Sequence, residues 1–169
     1  MRLSCTILTN QALAKSPYLP YGWSPIGQPV RRDVYSRSKR LNVLGFMSRQ
    51  QKLIYHTTEE RVDTGKVVEA FDKLAEHKDP DRQAVVILDN AMVHRSKKFR
   101  RHKLRWLEQG LSVVYLPTYC PELNLIEILW RKVKYHWMPV DTHRTFEGLK
   151  ACVNEVLSNF GQEYKICFS

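Results

Sequence analysis

Two short apolar runs in the second half of the chain end abruptly in polar residues. Residues 85–88 lead directly into Asp89, and residues 113–116 lead into a helical segment that carries Glu127. Apolar runs of this length predict buried strands. A carboxylate at the end of a buried strand lies at the rim of an α/β sheet, where ligands and metals commonly bind. The pattern therefore places two candidate acids at the ends of two core elements.

The first half of the chain contains further runs of strand length. They predict strands over residues 3–8, 30–35, 41–47 and 52–56, of which the last three form an antiparallel meander. The first strand is expected to break at Thr9 and Asn10. Residues 16–29 are rich in Pro and Gly with interleaved aromatic residues, which predicts an ordered loop rather than a regular element.

Four segments have the spacing of amphipathic helices. They cover residues 64–77, residues 96–109, a segment that starts near residues 121–124, and residues 146–160. Asp63 or Thr64 is a candidate cap of the first helix, and Gly110 is a candidate stop for the second.

The apolar positions of these helices predict which side faces the core. In the first helix they are Val67, Val68, Phe71, Leu74 and Ala75. In the second they are Phe99, Leu104 and Leu107, and in the third they are Leu123, Ile126, Trp130, Val133 and Trp137. Strands followed by alternating helices and strands predict an α/β fold, a mixed sheet flanked by helices. With no convincing linker, residues 1–169 are expected to form one domain.

The charge of the chain indicates a polyanionic partner. Its net charge of +10 favours nucleic acid over a membrane, because no apolar segment is long enough to span a bilayer. The basic residues concentrate in two predicted helices, at Arg95, Lys97, Lys98, Arg100, Arg101, His102, Lys103 and Arg105, and at Arg131, Lys132 and Lys134. The alternative is a solvated basic surface without a partner.

The cysteines favour neither a structural zinc site nor a disulfide framework. Cys5, Cys120, Cys152 and Cys167 lie far apart and have no histidine partners at zinc spacing. A reducing cytosol is therefore expected. The N-terminal apolar stretch is too short and interrupted for a signal peptide.

Each candidate acid has an ordinary structural interpretation as well as a chemical one. Asp89, with Asn90 beside it and His94 nearby, suits a hard cation such as Mg²⁺, but Asp-Asn after a strand is also a common turn. Asn124 and Glu127 have the spacing of a capping box. Glu127 also borders the apolar stripe of its helix, where it would face the strand ends. The residues alone leave both interpretations open.

Two segments together resemble a known family. ILDNAMVHRSK at residues 87–97 and LPTYCPELNLIEILW at residues 116–130 are similar to the second and third acidic motifs of mariner-like insertion-sequence transposases of the DDE superfamily. Those motifs have the form D-N-x-x-x-H and S-P-x-L-N-P-I-E-x-x-W. Residues 17–27 and 41–45 are also similar to segments of that family. The resemblance covers roughly residues 9–160.

The resemblance implies an RNase H-like fold, with three antiparallel strands followed by parallel strands and helices on both faces. It implies two-metal phosphoryl transfer on DNA with Mg²⁺ or Mn²⁺. Asp89 and Glu127 match the second and third metal ligands, and Asn90, His94 and Asn124 would support the site. The basic residues Arg95, Lys97, Lys98, Arg101, Lys132 and Lys134 would bind the element ends and target DNA.

The sequence departs from the family at the first acid. That Asp normally ends the first strand, but Thr9 and Asn10 stand there and no acid precedes Asp33. Cys120 replaces the usual Ser and Leu125 the usual Pro. We expect the family's N-terminal helix-turn-helix region to be absent from these 169 residues. We expect a truncated, nucleoid-associated transposase domain with impaired strand cleavage.

Two alternatives to an impaired transposase stay open. One is a non-catalytic DNA-binding remnant, able to dimerise with itself or with an intact transposase. The other, a host RNase H-like nuclease, is weaker, because such an enzyme would need the same first-strand acid.

Overall fold

The structure, a computed structural model, describes residues 4–14, 25–28, 39–118, 120 and 123–167. Within these residues a five-stranded sheet has the order β3-β2-β1-β4-β5. The strands are β1 (Ser4–Ala14), β2 (Arg40–Ser48), β3 (Leu53–Thr58), β4 (Ala84–Leu88) and β5 (Leu111–Tyr115). β1, β2 and β3 pair antiparallel, whereas β4 is parallel to both β1 and β5. This confirms the predicted mixed sheet of three antiparallel strands followed by parallel ones.

The expected break of the first strand at Thr9 and Asn10 is wrong. β1 continues through both residues to Ala14, because β2 pairs with it along most of its length, from Thr6 opposite Ser48 to Ala14 opposite Arg40. Local turn propensity is thus overridden by the neighbouring strand. The predicted strand over residues 30–35 and most of the predicted loop over residues 16–29 lie outside the described residues.

The helices lie close to their predicted bounds. They are α1 (Thr64–His77), the single turn α2 (Met92–Arg95), α3 (Lys97–Glu108), α4 (Ile126–Lys132) and α5 (Phe146–Ser158). A π-helical turn, Val133–Trp137, extends α4, and a 3₁₀ helix, Val140–Arg144, precedes α5. The Asp63 side chain caps α1 by accepting a hydrogen bond from the Lys66 backbone N–H at 2.9 Å. None of these helices is long and apolar enough to cross a bilayer, as far as the chain is described.

α1 and α3 cover one face of the sheet. Phe71 of α1 lies at the centre of this core, with its ring centroid 5.4 Å from that of Phe46, 5.2 Å from that of Phe99 and 4.5 Å from that of Trp106. All four aromatic side chains are buried. Such aromatic packing fixes α3, and with it the start of the basic segment, against the sheet.

The predicted core face of α3 is partly wrong. Phe99 is buried as expected, but Leu104 and Leu107 are 73% and 56% exposed, and Trp106 is buried instead. Phe99 and Trp106 are seven residues apart, so they lie on one side of the helix. The Trp106 indole packs on that side of α3 against the core, and Leu104 and Leu107 point toward solvent.

α4 and α5 cover the other face of the sheet. The Trp130 indole of α4 packs directly against Gly45 of β2, so closely that a Cβ atom there would lie 3.0 Å from Trp130 Cζ2. Ile126, Leu129 and Val133 complete the buried side of α4. Helices therefore lie on both faces, as predicted. Leu123 precedes the helix and is 48% exposed, so its predicted place in the apolar stripe is wrong.

Candidate active site

The carboxyl ends of β4 and β5 lie together, level with the middle of β1. Leu88, the last residue of β4, pairs with Leu8 on one side and with Tyr115 on the other. Asp89 follows Leu88 directly, and Thr9 follows Leu8. Because the strands run parallel, the backbone of Thr9 is level with that of Asp89. The acid-bearing end of β4 thus lies beside the position where the first acid was expected.

Asp89 is held through one of its carboxylate oxygens. Oδ1 accepts hydrogen bonds from His94 Nδ1 at 2.8 Å and from the Ala91 backbone N–H at 3.1 Å. The His94 hydrogen bond lowers the pKa of Asp89 below its ordinary value of 3.8; burial opposes this effect, and the Ala91 N–H adds to it. Asp89 is therefore an anion at neutral pH, and its Oδ2 is left for a ligand.

His94 is buried beneath Asp89 and anchored from β5. Its backbone carbonyl accepts a hydrogen bond of 2.7 Å from the Tyr115 hydroxyl. Its Nδ1 donates to the Asp89 carboxylate, and its Nε2 has no hydrogen-bond partner within the described chain. The supporting role of His94 in a metal or DNA site stays a prediction. Tyr115 is a contributor that the sequence analysis missed, because nothing in the pattern links a strand-end tyrosine to a residue 21 positions earlier.

An open cleft of about 500 Å³ borders Asp89. Asn90 lines it and is fixed by a 2.8 Å hydrogen bond from its Nδ2 to the Leu116 carbonyl. The cleft is lined by Asp89, Asn90, Leu116, Pro117, Thr118, Cys120 and Asn124. Three of the predicted site residues, Asp89, Asn90 and Asn124, therefore share one surface.

The capping interpretation of Asn124 is wrong. α4 begins at Ile126 and no side chain caps it. The Asn124 side chain is 8% exposed, and its Oδ1 has no hydrogen-bond partner within the described residues. An amide oxygen in that state is unusual in a folded protein.

Glu127 lies in the first turn of α4, with its backbone N–H bonded to the Asn124 carbonyl at 3.0 Å. The residue is exposed. Burial lowers the pKa of the Lys134 ammonium, and the nearby Glu127 carboxylate opposes that effect. Glu127 is thus a charged side chain one turn beyond Asn124, and the structure does not include it among the residues that line the cleft.

The donor chemistry of this site suits a hard divalent cation, but the ligand set is small. Carboxylate and amide oxygens are the donors that Mg²⁺ and Mn²⁺ prefer, and Asp89 has one oxygen to offer. No group of three His, Cys, Asp or Glu side chains able to hold a metal occurs in the described parts of the chain. The residues fit a cation, with fewer acids than a three-carboxylate site.

The basic residues divide into an exposed set and a half-buried set. Arg95, Lys97, Lys98, Arg100 and Arg101, on α2 and α3, are exposed. None of these five forms an ion pair with a described acid, whereas Arg105 pairs with Asp72. Lys132 and Lys134 are half-buried, and Arg131 beside them is exposed.

The sequence pattern of the DDE superfamily endonucleases matches residues 11–150. The chain belongs to this family. The match begins one residue after Asn10, so it starts just past the expected first-acid position. No curated protein matches the chain.

Solved structures of mariner transposases share the fold of this DDE-family chain. The Mos1 mariner paired-end complex with Mn superimposes with a TM-score of 0.65 at 14% identity, over 95% of this chain and 49% of that chain. The Mos1 transposase paired-end complex with the left transposon end superimposes with a TM-score of 0.64 at 15% identity, over 95% of this chain and 49% of that chain. The catalytic domain of Mos1 mariner transposase superimposes with a TM-score of 0.59 at 12% identity, over 91% of this chain and 69% of that chain.

These likenesses establish an RNase H-like transposase catalytic fold. The chain spans about half the length of the full transposase chains that it matches.

Proposed function

We propose that this chain is the catalytic domain of a mariner-like transposase that binds DNA and a divalent cation but is impaired in strand cleavage. The observation that carries the proposal is the sheet edge, where anionic Asp89 lies level with neutral Thr9. The family match supports DNA as the substrate. Complexes of the Mos1 transposase with transposon ends and with Mn support DNA and divalent metal as its partners.

In the proposed site each residue has a distinct role. Asp89 and Glu127 hold the cation, and His94 fixes the orientation of the Asp89 carboxylate through its 2.8 Å hydrogen bond. Asn90 joins the end of β4 to Leu116, and both residues line the cleft. When bound, Mg²⁺ or Mn²⁺ would activate a water or a DNA 3′-hydroxyl and neutralise charge on the phosphodiester.

Impairment follows from the charge at the first-acid position. Thr9 and Asn10 offer neutral oxygens, and two cations held close together need negative charge to offset their repulsion. We infer that the site binds one cation better than two, and that cleavage therefore proceeds slowly.

The test is Mn²⁺-dependent nicking of supercoiled plasmid DNA by the 169-residue chain. We expect slow nicking by the unaltered chain and a rate at least about tenfold higher for Thr9→Asp, with Asn10→Asp as the companion variant. Adding Asp89→Ala to either variant should abolish the gain. Rapid nicking by the unaltered chain that vanishes in Asp89→Ala would contradict impairment.

A non-catalytic DNA-binding role is the second candidate. The five exposed basic side chains of α2 and α3, which lack ion-pair partners among the described acids, favour it. Such a protein, alone or paired with an intact transposase, would retain DNA in the absence of metal. Its DNA affinity would not change on replacing Asp89 or Glu127, and neither acid variant at residues 9 and 10 would cleave.

A further inference from the structure

β5 is an edge strand, and its outer side has no strand partner among the described residues. Its two flanking hydrogen bonds show which of its backbone groups face β4. The Gly110 carbonyl accepts from the Ala84 N–H at 2.9 Å, and the Leu116 N–H donates to the Leu88 carbonyl at 2.8 Å. Because bonding alternates along a parallel ladder, the even-numbered residues of β5 bond to β4 and the odd-numbered ones face outward.

The outward groups are the N–H and C=O of Leu111, Val113 and Tyr115. Within the described chain they form no backbone hydrogen bond outside the sheet. Proteins usually protect such an edge with Lys, Pro or a bulge. β5 reads Leu-Ser-Val-Val-Tyr, without a charge or a Pro, and it pairs with β4 residue for residue. The edge is therefore able to accept another strand.

Exposed apolar side chains flank this edge on both faces of the sheet. The Lys103 ammonium lies 5.1 Å from the ring centroid of Tyr115, so that side of α3 borders β5. Leu107 follows Lys103 by one helical turn, lies on the same side and is 56% exposed. Val114 points to the opposite face, because side chains alternate along a strand, and it is 50% exposed.

A second copy of the same strand is complementary to this edge. With the two strands antiparallel and Val113 opposite Val113, Leu111 of each copy lies opposite Tyr115 of the other. All the outward groups then form hydrogen-bonded pairs, with about six bonds in total. A twofold axis completes the pairing, because each copy supplies the same donors and acceptors.

The charges beside the edge are complementary in the same arrangement. Lys103 lies over Tyr115, and Glu108 ends α3 three residues before Leu111. Pairing Leu111 with Tyr115 brings the α3 end of one copy, with Glu108, toward Lys103 of the other. The carboxylate and the helix C-terminus both attract that ammonium. An unrelated extended peptide would gain the backbone bonds alone, so these charges favour a second copy.

We propose that the chain forms a twofold-symmetric dimer through β5, in which the two sheets join into one. Leu107 and Val114 of both copies then lose contact with water beside the joined strands. The inference is independent of the proposed chemistry, because it uses the edge of the sheet and none of the candidate metal ligands.

The first experiment is sedimentation velocity of the full chain, without metal or DNA, at increasing protein concentration. We expect the unaltered chain to pass from monomer to dimer. Val114→Lys places a charge beside the paired strands, so the dimer dissociation constant should rise at least about tenfold. Thermal unfolding followed by circular dichroism checks that the variant folds, as its exposed position predicts.

Ile54→Lys is the matched control. Ile54 is 39% exposed and belongs to β3, the strand at the other end of the sheet order. The same charge at this distance acts only through screened repulsion, so the dimer dissociation constant should change by less than about threefold.

The second experiment tests the register with cysteine variants, in chains whose Cys120 and Cys167 are replaced by serine. Ser112 of one copy lies opposite Val114 of the other, in a non-hydrogen-bonded pair with Cα atoms about 4.5 Å apart, within reach of a disulfide. A mixture of Ser112→Cys and Val114→Cys chains should therefore crosslink on oxidation with copper–phenanthroline. Either variant alone should not, because identical residues lie diagonally at about 7–8 Å.

Three results would overturn the inference. One is a monomer at every concentration, and another is an equal effect of Val114→Lys and Ile54→Lys on the dimer. The third is a dimer that crosslinks no better in the mixture than in the single variants, which would place the contact elsewhere. None of these results depends on cleavage or metal binding, so the nicking assay tests the proposed function separately.

Discussion

Asp89 is bound through one carboxylate oxygen and open at the other, and this asymmetry is the central residue-scale property of the site. The bonds from His94 and Ala91 fix the direction of the carboxylate before any ligand arrives. A preorganised acid loses less freedom when a ligand binds. His94 is itself immobilised by Tyr115, so the orientation of Asp89 depends on residues from two strand ends.

This arrangement predicts a pH dependence of stability. The folded-state pKa of Asp89 is lower than its ordinary value of 3.8, so its contribution is fully present above that value and is lost as the pH falls through the folded-state pKa. In His94→Phe the hydrogen bond to Asp89 is lost, so the folded-state pKa of Asp89 should rise. The loss of folding stability that Asp89 causes at acid pH should then disappear. Carboxyl ¹³C NMR titration measures the shift directly.

Asp63 is the internal control for that titration. Its pKa is lowered mainly by the hydrogen bond from the Lys66 backbone N–H, which His94→Phe leaves in place. The interpretation fails if the Asp89 titration is unchanged in His94→Phe, or if Asp63 shifts by the same amount.

At the scale of elements, the packing of α4 on β2 positions Glu127. Trp130 follows Glu127 by three residues, and its indole lies against Gly45, which pairs with Thr9 of β1. Glycine is required at this point because a Cβ atom would lie 3.0 Å from Trp130 Cζ2 and 3.1 Å from Cη2. The distance of α4 from the sheet, and with it the position of Glu127, depends on the absence of a Cβ atom at Gly45.

Gly45→Ala should therefore destabilise the fold by about 1–3 kcal/mol through overpacking and weaken Mn²⁺ binding. Trp130→Phe removes the ring atoms that clash, so the double variant should lose less stability than the sum of the single variants. Urea unfolding of all four chains measures this coupling. Trp106→Phe, on the other face of the sheet, should show no coupling to Gly45→Ala.

Some elements were predictable from sequence because their local pattern and their tertiary packing agree. Thr64–His77 has a cap, a regular apolar stripe and one buried side, so its predicted bounds match the structure. α3 offers two competing apolar sides, and only the fit of Trp106 against Phe71 decides between them. The continuation of β1 past Thr9 depends on pairing with β2, a strand some 30 residues away in sequence.

The site divides in the same way. Asp89, Asn90 and His94 lie in one short segment, so their proximity was predictable from the motif. The bond from Tyr115 to His94 and the unbonded Asn124 oxygen depend on the arrangement of separate elements. The spacing of Asn124 and Glu127 predicts a capping box, and only the start of α4 at Ile126, with no side-chain cap, excludes it.

At the scale of the whole molecule, the net charge is +10. Some basic residues form ion pairs with acids, and others do not. Lys66, Arg82, Arg105, Arg144 and Lys150 each pair with a described acid. Five exposed basic residues of α2 and α3 form no ion pair with a described acid, and they follow Asp89 closely in the chain: Arg95, Lys97, Lys98, Arg100 and Arg101. Their position favours DNA that approaches along these helices toward the cleft.

This arrangement predicts a steep salt dependence of DNA binding. If about five phosphates are neutralised, log K should fall with log[salt] with a slope of about −4.5. Replacing three residues of the exposed set should reduce the slope by about 2.7. The variant carries Arg95→Ala, Lys97→Ala and Arg101→Ala, and fluorescence anisotropy at several salt concentrations measures the slope.

The matched control removes the same number of positive charges elsewhere on the molecule. It carries Arg82→Ala, Arg144→Ala and Lys165→Ala, and its slope should stay close to that of the unaltered chain. Equal slopes for the two triple variants would indicate that net charge, and no particular surface, governs DNA binding.

The alignment of neutral Thr9 with Asp89 also bears on how such a chain persists in evolution. Carboxylates crowded at one sheet edge repel each other until a cation arrives, so losing one of them removes a folding cost. Selection for a folded protein therefore does not oppose this loss, although selection for cleavage does. A transposase lineage that stops being selected for movement can lose its chemistry at this position first and keep its core, its basic helices and its shape.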